Sequence, residues 1–209
     1  MPSNYDNAAW FYDSLAGLVF GQTIKKAQVF FLQAIKPGSN VLIVGGGTGW
    51  ILEEISHRHP AGLSIDYVEL SKNMLIHARC RFTGLNDVSF IHSDIELLPD
   101  SRKYDAIITP FIFDSFGALT TKRVFNLLVS RLKDTGIWLY TDFRKPTERW
   151  QKALLKSMYL FFRIICRLEA DELPDMMDLF ENSTCLLLDE KRFYADFIVS
   201  RLYLAQNCR

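Results

Sequence analysis

Strand-like and helix-like runs alternate along the first two thirds of the chain, and this alternation constrains the fold more than any other feature. Asn40-Val-Leu-Ile-Val44 is a short apolar run, which reads as a strand buried on both faces. Ile51, Leu52 and Ile55 follow at helical spacing, and Leu63, Ile65 and Tyr67 return to strand spacing. Met74, Leu75, Ala78 and Phe82 mark the next helix, Val88-Ser-Phe-Ile91 a third strand and Asp105-Ala-Ile-Ile-Thr109 a fourth. Val124, Leu127, Leu128 and Leu132 form a helix face before a fifth strand, Gly136 to Phe143. Ahead of them all, Ala27, Phe30, Phe31, Ala34 and Ile35 have helical spacing that Pro37-Gly38 ends. Such alternation builds right-handed crossovers and a parallel sheet covered on both faces.

The last third changes character. Trp150 to Leu168 predicts a long apolar helix and Glu172 to Asn182 a second one. Two strand-like runs, Thr184–Leu188 and Phe197–Leu204, follow with only Asp189 to Asp196 between them, so they pair as an antiparallel hairpin. The expected fold is α/β: a Rossmann-like, doubly wound, seven-stranded sheet of five parallel strands plus a C-terminal antiparallel hairpin. The length, 209 residues, suits one domain. Within it we expect an N-terminal helical cap (1–36), a core (37–145), a helical cover (146–183) and the hairpin (184–209).

Composition narrows the function. Lysine plus arginine and aspartate plus glutamate both count 24, a net charge of zero, which argues against a mainly electrostatic nucleic-acid binder. The four cysteines are scattered with no CxxC pair, so a structural zinc site is not expected and reduced thiols are. Met-Pro-Ser-Asn-Tyr-Asp at the start lacks the pattern of a secretion signal, and the longest uncharged stretch, Pro37 to Leu52, is broken by glycines. The expectation is a cytoplasmic protein with no integral membrane segment and no metal.

The candidate site begins at Gly45-Gly46-Gly47-Thr48-Gly49, between the first strand and a helix. Glycines there let the backbone turn tightly and approach a ligand, with helix N–H groups facing it. The spacing G-x-G-x-G is not the dinucleotide fingerprint, because the position three residues after Gly47 is Trp50, and no Gly-Lys-Ser/Thr makes it a phosphate loop. Glu69 ends the second strand, where an acid can accept from both hydroxyls of a ribose. Asp94 ends the third, where a carboxylate can accept from an adenine amino group while Leu70 and Ile95 pack on the ring; taken alone, it reads first as a helix N-cap. All three features fall at the carboxyl ends of consecutive strands, where open α/β sheets bind ligands.

These motifs resemble those of the class I S-adenosylmethionine-dependent methyltransferases over nearly the whole chain. Val41 to Gly49 is similar to their first motif, Val68-Glu69-Leu-Ser-Lys-Asn-Met74 to the second-strand motif, and Ser93-Asp94-Ile95-Glu96-Leu-Leu-Pro99 to the adenine-side motif. Tyr104 to Thr109 is similar to the fourth strand, and Gly136 to the turn before the fifth. The resemblance implies S-adenosylmethionine as cofactor. Gly45 to Gly49 would lie under its methionine part, Glu69 would hold the ribose, and Asp94, Ile95 and Leu70 would frame the adenine, with Met74 and Thr109 completing the wall. Tyr5 and Tyr12 resemble tyrosines that cap the cofactor in small members. One departure is Ile43, where the family usually carries an acid that helps hold the methionine amino group.

Thr109-Pro110-Phe111-Ile112-Phe113-Asp114 follows the fourth strand, where acceptor and methyl group would meet. It lacks the first residue and the second proline of the Asn/Asp-Pro-Pro-aromatic signature of amino-group methyltransferases, so that specificity is not expected. Asp114 is the best-placed candidate for a base, with Asp142 and His92 behind it. Phe111, Phe113 and Tyr159 would line an aromatic pocket under the apolar Leu154–Cys166 stretch, which suits a small apolar or aromatic acceptor such as a quinone precursor. Lys152, Lys156, Arg163 and Arg167 flank that stretch, so peripheral membrane contact is a further reading. The rival functions are a non-catalytic, nucleotide-binding regulatory domain and an aminopropyltransferase-like enzyme on the same fold. The oligomeric state is not legible.

Overall fold

A computed structural model of the chain describes residues 17, 19–99, 102–166, 170 and 172–206. A helix α1 (Thr23–Val29) and a 3-10 turn (Leu32–Ala34) lead into β1 (Asn40–Val44). The alternation then runs through α2 (Trp50–Arg58), β2 (Ala61–Glu69), α3 (Lys72–Arg79), β3 (Leu85–His92), β4 (Tyr104–Pro110), α4 (Ala118–Arg131) and β5 (Leu132–Phe143). Two helices, α5 (Arg149–Cys166) and α6 (Met176–Glu181), precede the hairpin of β6 (Cys185–Phe193) and β7 (Ile198–Ala205).

The strands form one seven-stranded sheet in the order β3-β2-β1-β4-β5-β7-β6. β1 runs parallel to β2 and β4, β4 parallel to β5, and β7 lies antiparallel between β5 and β6. Alternate residues serve opposite faces, as the two-residue strand period requires. Val41, Ile43, Ala106 and Ile108 pack with Ile51, Leu52 and Ile55 of α2 and with Leu75 and Ala78 of α3. Leu42, Val44 and Ile107 pack on the other side with Val124, Phe125 and Leu128 of α4 and Phe180 of α6. A third cluster joins Phe20, Phe143, Leu155, Tyr159, Phe197 and Ile198, pinning α5 to the sheet.

Several expected boundaries differ. The helix expected over Glu172–Asn182 is only Met176–Glu181: Pro174 precedes it, and Asp175 caps it by accepting from Asp178 N–H at 3.3 Å. The first hairpin strand runs further, β6 reaching Phe193 through the charged segment Asp189–Arg192, while the second is shifted by one residue to Ile198–Ala205. That segment lies on the outermost strand, where charge protects an unpaired edge. The turn between them is Tyr194, Ala195 and Asp196, all in the left-handed region with φ of 52°, 49° and 64°. Among the described residues no helix is long and apolar enough to cross a membrane.

Candidate active site

The order reverses between β1 and β4, and a crevice opens at their carboxyl ends. The β1–α2 loop forms its floor. Gly45 has φ of +67°, and a Cβ on it would sit 2.4 Å from Ile112 Cγ2, so no side chain fits there. Its N–H donates to the Val68 carbonyl at 2.9 Å, tying the loop to β2. Gly47, with φ of +63°, turns its N–H towards Glu69 Oε2 at 3.0 Å. The hydroxyl of Tyr67 donates to the Gly47 carbonyl at 2.9 Å. Glu69 Oε1 accepts from Ser71 N–H at 2.8 Å. These backbone donors hold a 6 % exposed carboxylate at the cavity wall. A carboxylate oxygen carries two lone pairs, so such anchoring is compatible with accepting from a ligand.

The cavity has a volume of about 340 Å³, within the ~300–1,000 Å³ typical of small-molecule sites. Gly45, Gly46, Gly47, Glu69, Leu70, Met74, Asp94 and Ile95 line it. Asp94 also caps a 3-10 turn, its Oδ1 accepting from Glu96 N–H at 3.0 Å, so cap and wall are the same residue. Phe111, Asp114 and Tyr159 line the cavity too, and Ile112 stands against Gly45. A second, apolar chamber of about 270 Å³ adjoins it under α5, walled by Phe20, Phe143, Leu154, Phe161 and others. Ile24, Phe111, Asp114, Met158 and Phe162 belong to both.

Phe111 takes φ of +53°, uncommon for a bulky side chain and costing of order 1–3 kcal/mol. Its N–H bond to the Thr141 carbonyl at 2.7 Å and its ring contact with Phe143, centroids 5.0 Å apart, hold it there. The next residues curl into a 3-10 turn, Phe113–Ser115, which points Asp114 at both cavities.

Several expected site residues are placed elsewhere. Phe113 is fully buried among Trp138, Tyr140 and Phe116, because the turn after β4 rotates it into the core. Thr109 is also fully buried, its hydroxyl accepting from Trp138 Nε1 at 2.8 Å. Thr48 is buried off the wall, its carbonyl accepting from Arg81 Nε at 3.0 Å. Gly49 caps α2 and abuts Ala78 of α3, so it shapes the turn without lining the cavity. His92 is exposed, its Nε2 at 3.0 Å from the Leu70 carbonyl. Tyr5 and Tyr12 lie outside the described residues. Gln22 and Lys25 of the α1 end and Trp50 at the start of α2 also line the cavity, with Lys25 Nζ 5.3 Å from the Trp50 ring, a long-range contact that spacing along the chain does not reveal.

Asp142 gains a role that spacing along β5 only hinted at. It is 1 % exposed, with Oδ2 accepting from Phe113 N–H at 3.0 Å and Oδ1 from Phe143 N–H at 2.8 Å. Burial raises its pKa to about 7 against the lowering effect of these backbone donors and of the Asp114 N–H. Burial, then the charge of Asp142, holds the Asp114 carboxyl well above the usual carboxylate range. Two acids therefore sit as neighbours, Asp114 at the junction of the two cavities and Asp142 behind it.

The family model for a methyltransferase domain matches residues 41–136, from β1 to the start of the fifth strand's apolar run. The malonyl-[acyl-carrier protein] O-methyltransferase 2 of Ilyobacter polytropus is 29% identical over 155 residues, covering 74% of this chain and 58% of the relative. The malonyl-[acyl-carrier protein] O-methyltransferase of Halalkalibacterium halodurans is 33% identical over 111 residues, 51% of this chain and 40% of that one. The N-methyltransferase NodS from Bradyrhizobium japonicum WM9, solved with S-adenosyl-L-homocysteine, superposes with a TM-score of 0.60 at 13% identity, covering 88% of this chain and 86% of that one.

Over residues 41–136 the chain matches a methyltransferase domain, and it is similar to the class I S-adenosylmethionine-dependent methyltransferases. It spans about half the length of the curated relatives it matches, 58% and 40% for the two named. The donor of this family, S-adenosylmethionine, can be tested against the residues present. The loop is cradle-shaped where a Cβ at Gly45 would collide with Ile112. An anchored carboxylate, Glu69, and an apolar pair, Leu70 and Ile95, stand beside it on one wall. These residues fit an adenosyl group with a short polar tail. The acid that the family usually carries two residues before Gly45 is replaced by Ile43, which is fully buried against α2 and α3. Any polar contact to the donor's amino group must therefore come from other wall residues.

Proposed function

We propose that this chain transfers a methyl group from S-adenosylmethionine to a small apolar or aromatic acceptor. The observation that carries the reading is the single cavity in which Gly45–Gly47, Glu69, Asp94 and Ile95 meet. In this reading Glu69 accepts from the ribose hydroxyls, Leu70 and Ile95 sandwich the base, Asp94 receives its amino group, and the Gly45–Gly47 backbone lies under the tail. When bound, the sulfonium supplies an electrophilic methyl group, and the C–S bonding pair stays with sulfur.

The protein's own contribution is alignment and exclusion of water. Holding two reactants in line is worth up to roughly 7–11 kcal/mol of barrier. Phe111, Met158 and Phe162, on the shared wall, supply an apolar junction suited to a reaction that extinguishes a positive charge. The names of the two O-methyltransferase relatives given above point to a malonyl acceptor on a carrier protein. The chamber under α5 is lined mainly by phenylalanine, leucine and methionine, which favours an apolar or aromatic molecule here.

Calorimetry with S-adenosylmethionine and S-adenosylhomocysteine tests the donor half of this reading. Micromolar binding of both is expected, and no heat and no thermal shift with either would overturn it. A radiolabelled methyl screen over quinone and lipid extracts, tRNA, DNA and protein tests the other half, with label expected in the extracts.

A further inference from the structure

The second chamber is apolar with one exception of consequence. Among the described residues that line it, Asp114 is the single ionisable group, and Ser157 the single other polar side chain. The Ser157 hydroxyl already donates to the Leu154 carbonyl at 2.7 Å. Asp114 thus stands as the chief polar feature in walls made of Phe20, Phe143, Phe161 and Phe162. Behind it, Asp142 has each oxygen engaged by a backbone N–H, so Asp142 is fixed in place and Asp114 is the member of the pair that faces the cavity.

We infer that the acceptor carries a neutral hydroxyl on an apolar or aromatic body, with the hydroxyl hydrogen-bonded to the Asp114 carboxyl. The inference rests on the methyl-transfer reading and specifies the acceptor of that same site. Three head groups compete, and the count of donors and charges separates them. A carboxylate would add a third acid beside Asp114 and Asp142, in a chamber with no lysine or arginine among its described lining residues. Like charges at that range disfavour each other's ionised form, and burial adds to the penalty. An amine brings at least two N–H donors and finds one carboxyl and one engaged hydroxyl. A hydroxyl brings one proton, which one carboxyl satisfies.

The chemistry fits the same choice. A carboxylate acceptor has no proton to lose, so a carboxyl held at the reaction junction would have nothing to do. When a hydroxyl oxygen forms its bond to the methyl carbon, the O–H bond must break. The O–H electron pair stays on oxygen, and the proton passes to the ionised form of Asp114. Burial and the neighbouring charge raise the proton affinity of Asp114, which makes that form a stronger base than an exposed aspartate. The positive charge of a donor in the adjoining cavity favours ionisation of Asp114 in the loaded protein.

The test is binding, not turnover, using three probes with one aromatic body: 2-naphthol, 2-naphthylamine and 2-naphthoate. They are titrated into the full chain at pH 7.5, with and without S-adenosylhomocysteine. We expect 2-naphthol to bind at least tenfold more tightly than 2-naphthoate and more tightly than 2-naphthylamine. In Asp114→Asn the naphthol-to-naphthoate ratio should fall to within threefold. Naphthoate or naphthylamine binding as tightly as naphthol in the wild-type chain overturns the inference, whatever the variant does. So does an unchanged ratio in a folded Asp114→Asn chain, or no binding of naphthol at all. Absence of S-adenosylhomocysteine binding sinks the methyl-transfer reading instead, and the probe order measured without it still decides the head group.

Discussion

Glu69 Oε2 accepts the Gly47 N–H at 3.0 Å, so the acid ending β2 and the loop leaving β1 are one mechanical unit. The carboxylate that would grip a ribose is thus anchored by the loop that would underlie the rest of the donor. Glu69→Ala removes both the anchor and the acceptor. Two hydrogen bonds at roughly 1 kcal/mol each correspond to a loss of about tenfold or more in affinity for S-adenosylhomocysteine. Isothermal calorimetry checks this, and unchanged affinity in the folded variant would remove Glu69 from the site.

Gly45→Ala places a methyl group against Ile112 Cγ2 in a backbone conformation with φ of +67°. Strain of this kind costs of order 1–3 kcal/mol. For a chain of this size each kcal/mol shifts the melting temperature by roughly 2–4 °C. Thermal unfolding should show that drop, and the drop caused by Gly45→Ala should be smaller when measured in an Ile112→Ala background, where the collision is cleared.

Leu154 lines the chamber under α5 and is absent from the walls of the larger cavity. Leu154→Trp fills the chamber from its far side. S-adenosylhomocysteine affinity should stay within about threefold of wild type while binding of the naphthol probe is lost. Parallel loss of both ligands would show that the two spaces do not act as separate sites.

The acidic pair makes stability depend on pH. Burial raises Asp142 to about 7, and Asp114 is held well above 3.8. Unfolded, both titrate near about 4. Above that pH the unfolded chain has lost protons that the folded chain retains, so stability falls as pH rises from about 4 towards 7, the Asp142 share levelling off beyond. Asp114→Asn deletes one acid and its repulsion of the other. Relative to wild type the variant should gain stability as pH rises from 5 to 7.5. Urea unfolding at the two pH values measures this, and a variant that loses ground at pH 7.5 contradicts it.

The sequence was most readable where one residue's neighbours along the chain decide its fate. The apolar run of β1, the glycine turn and the acids ending β2 and β3 needed only period and position, and each is found at the carboxyl edge of the sheet. It was least readable after β4. There a 3-10 turn rotates Phe113 inward and Asp114 outward, and a one-residue difference in register separates core from cavity. Asp142 looked like a minor candidate because its environment is built by residues about 30 positions away, at Phe113 and Asp114. The charged strand Asp189–Arg192 read as a loop because its pairing partner, not its own composition, makes it a strand.

Ile24, Phe111, Asp114, Met158 and Phe162 form a party wall between the two hollows. Tenants on either side of a party wall cannot renovate independently. Any exchange at these five positions that widens the room for a new acceptor also redraws the room beside it. Diversification towards bulkier acceptors should therefore proceed through the outer positions, such as Leu154 and Phe161, before it touches the shared ones.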